Sequence, residues 1–144
     1  MAGGIIDPYH RLETGLLDRV RVSTRVRGRM FKFQTLEVWK KAIEYCNKMI
    51  AISDSLPKQY QYTFSSQLTS AALSVPNNIA EGSGRKGTKE ANNFYNISKG
   101  STYETINILI ILVKRNLYDK ENFLIRYQEA EEICRMLTGL MRRK

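Results

Sequence analysis

The sequence predicts an all-α protein, an antiparallel up-down-up-down four-helix bundle, and three observations carry that expectation. Apolar residues recur at spacings of three and four along four stretches, the signature of one helical face rather than of alternating strand faces. Prolines number only 3 in 144 residues, and β-branched residues seldom alternate with polar ones. Apolar residues make up 42% of the chain and aromatics 10%, enough for a single core.

The first helix is expected from Leu36 to about Ser53. Trp39, Ala42, Ile43, Cys46, Met49 and Ile50 form its stripe, Thr35 is the expected N-cap, and Pro57 enforces the stop. The second is expected over Lys58 to Glu81, with Phe64, Leu68, Ala71, Ala72, Val75 and Ile79 on its apolar side. Pro76 lies within that pattern and predicts a kink near Ala72–Val75, because it removes a hydrogen bond and crowds the preceding turn. Gly82 suits a left-handed C-cap. Thr88 is the expected cap of a third helix over Lys89 to Arg115, with Lys114 and Arg115 complementing the dipole and Asn116 making the turn. Asp119 is the expected cap of a fourth, from Lys120 to about Arg142, with Phe123, Tyr127, Ala130, Ile133, Cys134, Leu137 and Leu140 along one side.

Residues 1–29 differ from this pattern. They hold six of the 23 basic and three of the 14 acidic residues, and Arg19 to Arg27 alternates basic with small residues. The segment reads as a disordered basic extension, either an arm that grips phosphate or a product of translation assigned upstream of a true start at Met30. The late onset of helical patterning favours the second reading. The bundle domain is then 30–144, which alone carries +6 of the formal +9.

Such a charge attracts polyanions, nucleic acid before anionic membrane. No run of 18 apolar residues predicts a spanning helix, and no signal-peptide block opens the chain. Cys46 and Cys134 are the only cysteines and make no CxxC, so a reducing, cytoplasmic setting is expected. Di-metal bundle sites need Glu-x-x-His, and the single histidine, His10, lies outside the helices. The same lack argues against a Ser or Cys nucleophile with an imidazole base, and both cysteines fall on core stripes. The loop Gly82–Thr88 has Lys-Gly-Thr after a helix where a phosphate-binding loop needs Gly-Lys-Ser/Thr after a strand. It can still present free amides to an anion beside Arg85, Lys86 and Lys89. Glu81 and Glu104 are the one conceivable acid–base pair. No catalytic residue, metal or cofactor is expected.

A polar row runs along the second helix through Gln67, Ser70, Ser74, Asn78 and Glu81. Another marks the third through Asn93, Gly100, Glu104 and Asn107. The two rows are expected to face each other, another subunit or solvent. Gly100 costs about 1 kcal/mol against Ala in a helix, which a close backbone contact would explain. Tyr45, Tyr62, Tyr103, Ile108 and Ile111 fall partly off the core stripes, as subunit contacts do.

These residues resemble a known family. Phe33-x-x-Leu36-x-Val38-Trp39-Lys40, Gln67-Leu68-x-x-Ala71, the run Ser74–Gly82 followed by Gly84-Arg85, and Gly100-Ser101-x-x-Glu104 are similar to the bacterial four helix bundle proteins. That family includes proteins encoded in intervening sequences of large-subunit ribosomal RNA genes. More distant relatives are the accessory variability proteins of diversity-generating retroelements. The resemblance covers about Phe31 to Lys144. It implies a ring-like homopentamer without enzymatic activity. It also implies a structural role for a polar motif of Ser74, Asn78, Glu81, Gly82, Gly100, Ser101 and Glu104. The expected function is an oligomeric RNA-binding or scaffold protein, with Arg85, Lys86, Lys89, Lys99, Arg142, Arg143 and Lys144 as the nucleic-acid contacts. The alternative is an adaptor that docks a protein such as a reverse transcriptase.

Overall fold

A computed structural model describes residues 30–143, so the extension expected over 1–29 and the C-terminal Lys144 lie outside the described residues. Helix α1 spans Glu37–Ser55, α2 Ser66–Ser83, α3 Thr88–Lys114 and α4 Lys120–Met141. Among the described residues these are the four α-helices, and no strand occurs. The chain divides into two units, Met1–Phe31 and Lys32–Lys144, and all four helices belong to the second.

Helix α1 turns a slightly different face inward from the one expected. Val38, Ala42, Tyr45, Cys46, Met49 and Ile52 are buried, while Trp39 and Ile50 pack at the margin of the core. Tyr45, expected near a surface, is 1% exposed. Its hydroxyl makes a 2.6 Å hydrogen bond with Thr105 Oγ1, which removes the penalty of burying it. Thr35 does not cap the helix. Its hydroxyl donates to the Lys32 carbonyl at 2.7 Å, inside a 3-10 turn over Lys32–Thr35, and Leu36 takes the N-cap position without a side-chain bond. Leu56, held extended (ψ 147°) before Pro57, ends the helix where the proline dictates.

The second helix begins later than the periodicity suggests. A 3-10 turn at Lys58–Tyr60 and a π-helical turn at Gln61–Ser65 precede it. The irregular turns set up a reciprocal clasp. Ser53 Oγ donates to the Ser65 carbonyl at 2.9 Å, Ser65 Oγ donates to the Ser53 carbonyl at 3.1 Å, and Thr69 Oγ1 reaches Ser53 Oγ at 3.0 Å. Beyond it, α2 runs uninterrupted across the buried Pro76.

Gly82 is not a left-handed cap. It lies within α2, and Gly84 ends the helix with right-handed φ −84°. A Cβ at Gly82 would stand 2.7 Å from Tyr95 Cε1 and 3.1 Å from the Ala91 carbonyl oxygen, so the missing side chain is what lets α2 and α3 close together. Thr88 is likewise the first residue of α3 rather than its cap, a position Gly87 takes.

The other ends follow expectation. Asn116 adopts φ 57°. Its N–H donates to the Val113 carbonyl and that of Leu117 to the Leu112 carbonyl, the paired closure of a Schellman motif. The Asp119 carboxylate accepts from the Asn122 N–H at 3.0 Å. Asp119→Ala should therefore lower stability by about 1 kcal/mol in urea denaturation, and Asp119→Asn by clearly less.

The core is drawn from all four helices. Met49, Leu68, Val75, Ile79, Leu109, Leu112 and Leu137 are fully buried. Residue numbers rise along α2 as they fall along α3, from Ser74 against Ser101 to Gly82 against Tyr95. Helices α3 and α4 show the same opposition, Asn92 bonding the Met141 carbonyl and Lys99 bonding Thr138. Ion pairs Lys41–Glu132 (3.2 Å) and Lys48–Glu129 (2.7 Å) tie α1 to α4. Ile108, also expected near the surface, is buried with 6% exposure.

Candidate functional site

The polar rows of α2 and α3 separate into two populations. Ser74, Asn78 and Ser101 meet in the seam between the helices. Ser101 Oγ donates to Ser74 Oγ at 2.7 Å, and Asn78 Nδ2 donates to the Ser74 carbonyl and hydroxyl. Gln67, Ser70, Asn93, Gly100, Glu104 and Asn107 are exposed. A Cβ at Gly100 would meet nothing within 4 Å, so the close contact expected there is made at Gly82 instead.

Deeper in the seam, hydroxyls form a directed series. Ser98 donates to the Val75 carbonyl at 2.8 Å, Thr102 to the Ser98 carbonyl, and Thr105 to the Thr102 carbonyl at 2.6 Å. Thr105 has thereby spent its proton, so Tyr45 is the donor in the Tyr45–Thr105 bond. Burial pushes the Tyr45 phenol well above its usual range. Every group in this series is satisfied and enclosed, which suits helix docking rather than chemistry on a substrate. Glu81 and Glu104 are both exposed, and Glu81 is already paired with Arg85.

The sequence-predicted cations stand in unlike places. Arg85 pairs with Glu81 and Glu90, each at 3.2 Å, and lies 4.7 Å from the centroid of the Phe94 ring. Glu90 also puts a carboxylate in the first turn of α3, where an anion would otherwise be drawn. Lys86 and Lys89 are exposed and join no ion pair among the described residues. Arg142 and Arg143 are exposed beyond the end of α4. Lys99 is half-buried, with Nζ donating to Thr138 Oγ1 at 3.0 Å.

Lys99 and Arg142 meet at an open groove of about 800 Å³ between α3 and α4. Ile106, Ile110, Ala130 and Cys134 supply its apolar lining, with Tyr103 61% and Tyr127 41% exposed. Arg135 adds a third cation and Glu131 one carboxylate. Sequence reasoning placed Tyr127 on a core stripe and passed over Arg135. The signal was present: Lys99, Tyr103, Ile106, Asn107 and Ile110 recur at helical spacing on a second face of α3, and Tyr127, Glu131, Arg135 and Thr138 do so on α4.

Both cysteines are free and buried. Burial raises the Cys46 thiol to about 11 from an ordinary 9.0, and raises Cys134 against an opposing pull from Lys99. Burial both disfavours the thiolate and blocks access to it, so Cys46 in folded protein should react with a disulfide reagent at least about tenfold slower than in denatured protein. Rapid labelling of Cys46 in the native state would contradict its enclosure. Among the described residues, no three His, Cys, Asp or Glu side chains cluster in a way that could hold a metal. No helix there is long and apolar enough to cross a membrane.

A family model described as 23S rRNA-intervening sequence protein matches residues 34–139. Among solved structures, the chain is similar to a Bacteroides thetaiotaomicron protein with unknown function from the S23 ribosomal protein family. The identity is 20%, the TM-score 0.68, and the match covers 74% of this chain and 99% of that one. At such identity the likeness speaks to the fold alone. No curated protein matches.

Proposed function

The chain belongs to the 23S rRNA-intervening sequence protein family, and on that premise we propose that it is a non-enzymatic, cytoplasmic, homo-oligomeric protein that binds RNA. The observation that supports this most directly is the surplus of positive charge, +9 over the whole chain, together with cations that pair with no carboxylate among the described residues. Lys86, Lys89, Arg142 and Arg143 are of that kind, whereas Arg85 is held by Glu81 and Glu90. Arg85 therefore shapes the loop, and its exposed lysine neighbours meet the ligand.

The test is anisotropy of a labelled RNA fragment titrated with full-length protein. Two or three phosphate contacts weaken single-strand binding about 7- to 18-fold between 50 mM and 200 mM salt, as counterions are released. Absence of binding at about 50 mM salt, or a flat response to salt, overturns the reading.

Self-association is supported by apolar side chains that the bundle leaves exposed. Leu73, Ile97, Leu124 and Ile125 are 43%, 51%, 52% and 47% exposed. Leu124 and Ile125 are adjacent near the start of α4, a patch suited to a protein contact. Light scattering on the purified protein should give a multiple of the 16.6 kDa chain mass, with a pentamer the expected state. A monomer at micromolar concentration contradicts it. The same patch suits an adaptor that docks a reverse transcriptase, a reading in which Leu124→Glu abolishes capture of that enzyme and leaves RNA affinity intact.

A further inference from the structure

We propose that the groove between α3 and α4 seats an unpaired stretch of nucleic acid, with bases stacked on Tyr103 and Tyr127 and phosphates met by Lys99, Arg135 and Arg142. This rests on the RNA-binding reading and adds where the ligand lies and in what form.

The charge of the groove selects the occupant. Three cations border it against the single carboxylate of Glu131, so the complementary ligand is a polyanion. Lys99 is already oriented. One of its ammonium protons goes to Thr138 Oγ1 at 3.0 Å, and the remaining two are left for an acceptor. Arg135 and Arg142 join no ion pair among the described residues and present planar forks suited to phosphate.

The aromatic residues select the form. Tyr103 and Tyr127, 61% and 41% exposed, both line the groove, one from each helix. The Tyr127 ring is braced by Phe123, with centroids 6.0 Å apart and planes at 59°, so its direction is set before a ligand arrives. Stacking on such rings needs bases whose faces are free. A duplex hides those faces and offers only backbone and groove edges. Asn107, also in the lining, carries both donor and acceptor for a base edge.

Gly139 lines the groove inside α4, and a Cβ there would meet nothing within 4 Å. No packing among the described residues accounts for a glycine in that helix. It leaves backbone bare where a sugar–phosphate chain can come near. The volume, about 800 Å³, is on the scale of sites that hold small organic ligands, roughly a nucleotide or two and far short of a double helix.

The experiment compares a labelled 12-nucleotide single strand that cannot self-pair with an RNA duplex of equal length, on the full chain at about 50 mM salt. The single strand should bind at least about tenfold tighter. Tyr103→Ala and Tyr127→Ala should each weaken it about 5- to 100-fold, while Tyr103→Phe, which keeps the ring, stays close to wild type. Arg135→Gln should reduce the salt slope by about 0.7. Circular dichroism checks that these exposed substitutions leave the fold intact. Preferred binding of the duplex, or tyrosine variants that bind as tightly as wild type, overturns the groove assignment and leaves RNA binding elsewhere on the surface. A drop in assembled mass for Tyr103→Ala or Tyr127→Ala also overturns it, by making the groove a contact between copies. No binding of either RNA by any form sinks this inference and the parent reading together.

Discussion

Leu109→Ala is expected to destabilise the folded chain by about 2–5 kcal/mol, whereas Ile110→Ala, one position along the same helix, should shift it by about 0.5 kcal/mol. Leu109 is fully enclosed in the cluster that joins the helices, so truncation loses its transfer energy and leaves a hole that rigid neighbours cannot fill. Ile110 is 37% exposed and lines the groove outside that cluster. Urea denaturation with a common slope measures both. Similar losses at the two positions would mean that Ile110 faces the core as Leu109 does.

Gly82→Ala should cost about 1–3 kcal/mol, the range typical of overpacking a well-filled interior. Gly100→Ala should move stability the other way, by up to about 1 kcal/mol, since it gains helix propensity without meeting any atom. The opposed signs are the informative part. Both residues lie inside helices, and intrinsic preference alone would improve both. At Gly82 the new methyl meets the Tyr95 ring and the Ala91 carbonyl. The ring can be shortened and the carbonyl cannot. Combining Gly82→Ala with Tyr95→Val should therefore recover part of the loss, visible as non-additivity in a double-mutant cycle. Strict additivity would show that the two side chains do not compete for the same space.

Periodicity made the four helices legible, because an apolar stripe repeats over several turns and a single misread residue does not erase it. The ends were legible where one side chain or backbone geometry decides them, as at Asp119, Asn116 and Pro57. They were not where neighbouring turns compete. Thr35 spends its hydroxyl on Lys32, and the Ser53–Ser65 clasp holds a π-turn where a plain helix start was expected. Gly82 and Gly100 look alike in sequence, and only the distance to Tyr95 tells them apart. The candidate site was half legible. Lys99 and Arg142 stand out in the sequence by their charge, and Tyr103 by lying off its stripe. That they converge with Tyr127 and Arg135 depends on how α3 and α4 are rotated against each other, which no local pattern encodes. Arg85 shows the converse: its basic context was plain, its two carboxylate partners less so.

The hydroxyl series from Tyr45 to Ser98 has a consequence for how the bundle can move. Greasy side chains tolerate sliding, because one methyl replaces another at little cost. A one-turn slip of α3 along α2, about 5.4 Å, would pull Ser98 off the Val75 carbonyl and Thr105 away from Tyr45, stranding the Ser98 and Tyr45 hydroxyls in a dry interior at once. The series therefore acts as a ratchet pawl. It fixes the register of the α2–α3 pair, and any rearrangement on assembly is confined to rigid-body rotation or to the periphery.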